Sequence, residues 1–222
     1  MLAVVYLVFT EGYAPAGGER LVRGELCAEA IRLGRLVTEL RPDDSEAAAL
    51  LALMLLQHAR RDARALDGRL VRLAEQDRGR WHRDEIAEGL ALLGRARGDG
   101  RSGPYLLQAS IAAAHASARA AGPDWRVVAA LYERLERLQP SPAVRLNRAV
   151  AVAEAYGPEA GLALLDDLDT GLGHQLPATR AELLARLGRT GDAAAAYDRA
   201  VELAGNAVVR AHLAQRRATL GG

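Results

Sequence analysis

Leu26, Ala30, Leu33, Val37 and Leu40 recur at three- and four-residue steps and draw one apolar stripe, the period of an amphipathic helix. The stripe stops at Pro42, which cannot continue a helix but fits the first turn of the next. A second helix follows from Asp43 to about Arg60. Its first turn carries Asp43, Asp44 and Glu46 and its end carries Arg60 and Arg61, so both ends suit the macrodipole. The same reading predicts helices over roughly 84–97, 104–120, 124–138, 142–155, 158–168, 174–187, 190–204 and 206–219. Asp124, Thr190 and Asn206 stand as their N-caps. No segment sustains a period of two between hairpin turns, so the expected class is all-α.

The predicted helices pair, and the pairs repeat. A small residue, a large one four later and another three later give Val128/Tyr132/Leu135, Ala160/Leu164/Asp167 and Ala193/Tyr197/Ala200. These triplets start 32 and 33 residues apart. A helix–turn–helix period near 34 residues marks tetratricopeptide-like repeats. The small residue lets two helices approach, and the large one fills the groove beside it. Asp167 is a poor core residue within this series, and Pro177 stands where an aromatic is usual. An earlier helix with Ala30, Gly34, Val37 and Pro42 has the same cadence, and 62–82 reads as an insertion before the next. A non-repetitive bundle is the alternative. The repeat reading expects one domain over 1–222, a curved helical-hairpin solenoid of about five pairs and a capping helix near 206–219.

Composition sharpens this. Half of the 222 residues are hydrophobic and only 4% are aromatic, a core of Leu, Ala and Val that suits close-packed helices. All 29 basic residues are Arg; lysine is absent. Schiff-base, P-loop and kinase-type lysines are therefore excluded. A net charge of +1 does not indicate a globally basic nucleic-acid binder. One cysteine, Cys27, precludes an intrachain disulfide and fits a reducing cytoplasm. The apolar runs Leu2–Phe9 and Ala47–Leu56 are too short to span a bilayer, so no membrane role is expected.

Catalytic patterns fail. His58, His82, His115, His174 and His212 show no metal-ligand spacing, and no Cys pair exists for zinc. The turn with Asp166, Asp167 and Asp169 reads as solvated, Cys27 as a small buried residue, and the Gly-rich 94–103 stretch as a flexible connection. No enzyme, cofactor or metal is expected. One region stands out: eight arginines and four acids crowd 60–83 around Trp81, a surplus of four positive charges. Guanidiniums beside an indole make an anion or carboxylate site, or else strap a loop to the repeats. Gln108, Asn147 and Arg148 sit in Ala/Leu/Val-rich helices, where polar groups are either satisfied internally or face a groove.

These residues lie within strings that resemble a known family. Leu2-Ala3-Val4-Val5-Tyr6-Leu7-Val8-Phe9, Glu11-Gly12-Tyr13 and Leu26-Cys27-Ala28-Glu29-Ala30-Ile31-Arg32-Leu33 are similar to the C-terminal extension of one group of extracytoplasmic-function (ECF) RNA polymerase sigma factors. So are Leu51-Ala52-Leu53-Met54-Leu55-Leu56, Gln76-Asp77-Arg78 with Trp81, Ile86-Ala87-Glu88-Gly89-Leu90, Gly103-Pro104-Tyr105, Leu146-Asn147-Arg148-Ala149-Val150-Ala151-Val152 and Leu187-Gly188-Arg189. The resemblance runs the length of the chain in one order. Thr10 stands where the family has Asn, and Gln57 where His is common.

The resemblance implies a tetratricopeptide-like extension that regulates a preceding sigma factor. The sigma regions themselves have no counterpart in these residues, as expected of an excised domain or a free-standing relative. Implied partners are proteins: the sigma regions in cis, RNA polymerase, or a small YCII-related protein, with no direct nucleic-acid contact by this segment. The expected function is a cytoplasmic regulatory interaction domain acting on transcription initiation. The alternative is a free-standing peptide-binding scaffold. Candidate partner-binding residues are Glu11, Arg60, Arg64, Asp77, Arg78, Trp81, Gln108, Asn147 and Arg148, with acids and arginines pairing to opposite charges and Trp81 as an apolar anchor.

Overall fold

Helix termini fall where the capping residues, glycines and prolines put them. The computed structural model describes residues 1–13, 23–66, 69–99, 102–118, 122–168 and 171–220. Among these residues the helices are α1 (Leu2–Tyr13), α2 (Gly24–Leu40), α3 (Ser45–His58), α4 (Arg83–Ala96), α5 (Pro104–Ala116), α6 (Trp125–Leu138), α7 (Pro142–Tyr156), α8 (Pro158–Ala163), α9 (Gln175–Arg186), α10 (Thr190–Leu203) and α11 (Ala207–Ala218). Asp44, Asp124, Ser141 and Asn206 cap α3, α6, α7 and α11, each accepting backbone N–H groups of the first turn. Thr190 does not cap as expected: it is the first helical residue of α10, and its hydroxyl turns back to the Gly188 carbonyl. Gly188 takes φ +72°, a left-handed conformation that closes α9 and that a Cβ would oppose.

The fold is all-α. Besides the helices, the described residues hold a two-residue antiparallel ladder, β1 (Ala65–Leu66) on β2 (Arg69–Leu70), and short 3₁₀ turns. The ladder lies in the 62–82 insertion, of which 67 and 68 fall outside the described residues. The expected connection at 94–103 starts later than read, because α4 runs to Ala96 and a 3₁₀ turn takes Arg97–Asp99; residues 100 and 101 lie outside the described residues. No helix among the described residues is long and apolar enough to cross a membrane.

The chain divides into two compact units, Met1–Pro123 and Asp124–Gly222. In the first, α1 pairs with α2 and α3 with α4. Each odd helix also meets the next odd one, α1 on α3 and α3 on α5, while α2 closes on α3 and α4 on α5. The second unit repeats the scheme: α7 pairs with α8 and α9 with α10, α7 meets α9, α8 meets α9, α10 meets α11, and α6 lies on α7. This is the connectivity of stacked helical hairpins.

Helix α3 organises the first unit. Every residue from Ala47 to Leu56 is buried, so it has no wet face and must be enclosed on all sides. Close enclosure needs missing side chains opposite. A Cβ at Gly34 of α2 would lie 2.7 Å from Met54 Cε, and one at Gly89 of α4 would lie 2.9 Å from Leu56 Cγ. Phe9, Cys27, Ala30, Leu93 and Ala109 complete this core. In the second unit Leu146, Ala149, Leu165 and Leu183 form one cluster, and Ala181, Tyr197, Ala200 and Leu213 another.

The repeat register shifts by one in its middle copy. Ala160 and Leu164 are only partly buried and Asp167 is exposed, whereas Gly161, Leu165 and Leu168 are buried. The small–large–large triplet is therefore Gly161/Leu165/Leu168, with the same steps of four and three. A Cβ on Gly161 would stand 2.6 Å from Ala153 Cβ, which is the close approach of α8 to α7 that the motif predicts. Tyr197 fills its groove, while Tyr132 is half-buried.

Candidate functional site

Most of the expected site residues gather in the first unit, around the segment that links α3 to α4. Tyr13, the last residue of α1, is gripped twice. Arg60 Nη2 donates to its hydroxyl at 2.7 Å, and the Arg64 guanidinium lies 3.8 Å over its ring while Nη1 donates to its backbone carbonyl. Phe9 stacks behind it, with ring centroids 5.6 Å apart. Trp81 is buried beside two guanidiniums, 4.5 Å from Arg78 and 5.9 Å from Arg60, and its Nε1 donor has no partner among the described residues. Arg78 donates to the carbonyls of Ala118 and His115 at 2.9 and 3.2 Å, so it closes the C-terminal end of α5.

The Glu11-Gly12-Tyr13 string now has a physical account. Glu11 pairs with Arg23 at 3.0 Å, and the Gly12 carbonyl accepts the Arg23 backbone N–H at 2.7 Å. A Cβ on Gly12 would sit 2.9 Å from both Cys27 Sγ and Cys27 N, so only glycine lets α2 start against α1. Asp77, another of the candidates, caps the turn at Arg78 by accepting Gly79 N–H at 2.8 Å. Gln108 faces α1, where its Oε1 accepts from Tyr6 Oη at 3.2 Å; Tyr6 also meets Tyr105 edge-on at 5.6 Å. Burial pushes the Tyr6 hydroxyl up to about 12, against a hydrogen bond with Gln57.

The electrostatics are uneven. Burial holds the Arg64 guanidinium below its ordinary range, with Tyr13 opposing and Arg60 adding repulsion. His115 is pushed down to about 4 by burial, then by Arg60 and Arg78. The Cys27 thiol is raised to about 11, chiefly by burial, and its Sγ lies 3.9 Å from the Phe9 carbonyl. It is the small buried residue expected, its thiol held in the protonated form by burial.

A second network was not legible in the chain. Glu85, in the first turn of α4, accepts from Arg61 at 2.9 Å and contacts His58 Nδ1 at 3.1 Å; Arg61 reaches His82 at 3.2 Å, and His82 Nε2 meets Asp62 at 2.7 Å. Burial raises the Glu85 carboxyl, but hydrogen bonds and charge from His58 and Arg61 hold it below the usual range. His82 does the same for Asp62. The network ties the insertion to both helices it joins. Among the described residues no group of three or more His, Cys, Asp or Glu is placed to hold a metal ion.

Asn147 and Arg148 belong to the second unit. Arg148 is bound inward, Nη1 to Glu136 at 2.7 Å, so it fastens α7 to α6. Asn147, one position earlier, is exposed.

Residues 1–97 match a family of unknown function, DUF6596. Over 217 residues the chain is 48% identical to an uncharacterized protein of Rhizobium meliloti (strain 1021), a match covering 95% of this chain and 51% of that protein. The chain thus spans about half the length of the curated relative it matches. No solved structure matches it.

Proposed function

We propose that this chain is a regulatory protein-interaction domain of an ECF-type sigma factor, acting on transcription initiation through contacts to sigma regions, to RNA polymerase or to a small YCII-related partner. The reading rests on the ordered resemblance of its strings to the C-terminal extension of such factors. Three observations support it. Each unit is a stack of helical hairpins, a scaffold suited to holding protein segments. The resembling strings Glu11-Gly12-Tyr13, Gln76-Asp77-Arg78 with Trp81, and Gly103-Pro104-Tyr105 are built into close contacts of the first unit. The Rhizobium relative is about twice as long as the match, as a factor made of sigma regions plus this domain would be.

Run-off transcription with that relative tests the reading. Full-length protein is compared with a version lacking the segment that this chain matches. A several-fold change in transcript from a cognate promoter, in either direction, is the expected result. Identical activity overturns the proposal and favours an independent peptide-binding scaffold.

A further inference from the structure

Around Tyr13 and Trp81, arginine charge outruns everything set against it. Many of this protein's arginines face a carboxylate, as in Arg32–Glu29, Arg35–Glu88, Arg189–Asp192 and Arg217–Asp198. Arg60, Arg64 and Arg78 do not: among the described residues their polar contacts are a phenol, three backbone carbonyls and two aromatic faces. Acids described on the insertion and its flanking turns are engaged elsewhere. Glu11 goes to Arg23, Asp62 to His82, Glu75 to Arg72, Asp77 to the Gly79 N–H and Glu85 to Arg61; Glu19, like Asp67, lies outside the described residues.

Two of the carbonyl groups belong to helix ends. Arg64 meets the C-terminal residue of α1, and Arg78 meets the end of α5; each terminus supplies roughly half a negative charge. Set against three guanidiniums, that leaves a local excess of about two positive charges. Half-buried charge without a counter-charge is costly, and a bound group of opposite sign relieves that cost. Arg60 is the least satisfied. A guanidinium has five N–H donors in a planar fork, and among the described residues Arg60 uses one, on Tyr13. The buried Trp81 Nε1–H is a further unused donor beside it.

We infer that the cluster of Arg60 and Arg64, with Tyr13 and Trp81, is a receptor for one oxyanion group, a carboxylate or a phosphate. The planar fork of Arg60 matches either in bidentate geometry, and the aromatic faces supply a surface that excludes water from the pair. Arg78 holds the Trp81 ring in place and contributes charge. The inference deepens the interaction-domain reading by giving the chemistry that a partner or signal presents to this face. It is measured on this chain by itself, so its failure is separate from a failure in transcription.

The experiment titrates the full chain with inorganic phosphate and, separately, with glutarate at constant ionic strength made up with chloride. The readout is the indole N–H signal of Trp81 by NMR, assigned with Trp125→Phe. A saturable shift by either anion is expected; phosphate alone or glutarate alone then names the source. Arg60→Gln should weaken binding by about tenfold, the loss of one charge-assisted bidentate contact. Arg60→Lys, which keeps the charge but not the fork, should weaken it less, and Arg199→Gln on α10 should leave it unchanged. The Lys variant also serves if the Gln variant does not fold. A shift that never saturates, one that chloride alone reproduces, or undiminished affinity in both Arg60 variants overturns the assignment.

Discussion

Glu46, in the first turn of α3, accepts the backbone N–H of Leu106 at 3.0 Å, and its other oxygen takes that of Tyr105 at 2.9 Å. A side chain from one helix thus caps another that starts about sixty residues later. Gly103 makes room for it, since a Cβ there would collide with the Glu46 carboxylate, and Pro104 occupies the position where a helix has no use for an N–H. The Gly103-Pro104-Tyr105 string is therefore a receptor for Glu46. Glu46→Ala should cost about 2–3 kcal/mol, because two charge-assisted bonds are lost at a helix N-terminus. Glu46→Gln should cost about 1 kcal/mol, as one oxygen remains. Urea unfolding at neutral pH measures both, and equal stability of Glu46→Ala and the parent chain would contradict the arrangement.

Acid should weaken the fold before its carboxylates titrate. His115 is depressed to about 4 in the folded chain by burial, Arg60 and Arg78, against an ordinary value of 6.5. Between those values the unfolded chain binds a proton that the folded chain refuses, so stability falls as pH drops from 7 towards 4. The loss from this group should reach about 2 kcal/mol by pH 5. Asp62 and Glu85, held below the ordinary carboxylate range, add their losses only at lower pH. Denaturation midpoints at pH 7 and pH 5 for the parent chain and His115→Gln isolate the contribution of this imidazole. The variant should show the shallower decline.

Tyr197 is 2% exposed, and its hydroxyl donates to Glu182 Oε2 at 2.9 Å, which also receives Arg216 from α11 at 2.7 Å. Tyr197→Ala should cost about 3–5 kcal/mol from the cavity and the lost hydrogen bond to Glu182. Tyr197→Phe should cost about 1 kcal/mol. Tyr132, at the equivalent repeat position but half-buried, should cost visibly less on truncation. Parallel melts of the alanine variants would show the order, and a reversed order would refute the groove-filling role of Tyr197.

Two glycine substitutions should move stability in opposite directions. Gly161 has the Ala149 carbonyl 2.7 Å from where a Cβ would lie, backbone that cannot swing away. Gly161→Ala should cost about 1–3 kcal/mol by overpacking. Gly94, inside α4, has nothing within 4 Å of that point. Gly94→Ala should add about 0.5–1 kcal/mol by restricting the unfolded chain. Thermal midpoints of the two variants suffice to check both signs.

Helix ends were largely legible because Asp124, Asn206, Pro142 and Gly188 act locally. The Tyr197 groove followed from period and residue size, but the α2 stripe did so only in part. Ala30 and Val37 are buried, Leu26 and Leu33 half-buried, and Leu40 is exposed, the buried face being rotated towards Cys27, Ile31 and Gly34. The middle repeat was misread by one position, since Ala160 and Gly161 are both small, and periodicity cannot choose between adjacent small residues. Asp167 was the warning: its exposure is 86%, and Arg145 lies 4.0 Å away. The Glu46 cap and the Glu85–Arg61–His82 network were invisible because their members come from distant turns. The site was legible as a local surplus of arginine around Trp81. Which arginines lacked an acid required the packing of Tyr13 against Arg60 and Arg64.

Because α3 has no side that tolerates water, it can only be hidden once α1, α2, α4 and α5 have all been made. A ribosome-bound chain that has emerged only as far as His58 would display a greasy rod ten residues long. Emergence of Ala116 is then the point at which the first unit becomes safe from chaperones and proteases, and a truncation before it should yield inclusion bodies, whereas one at Pro123 should not.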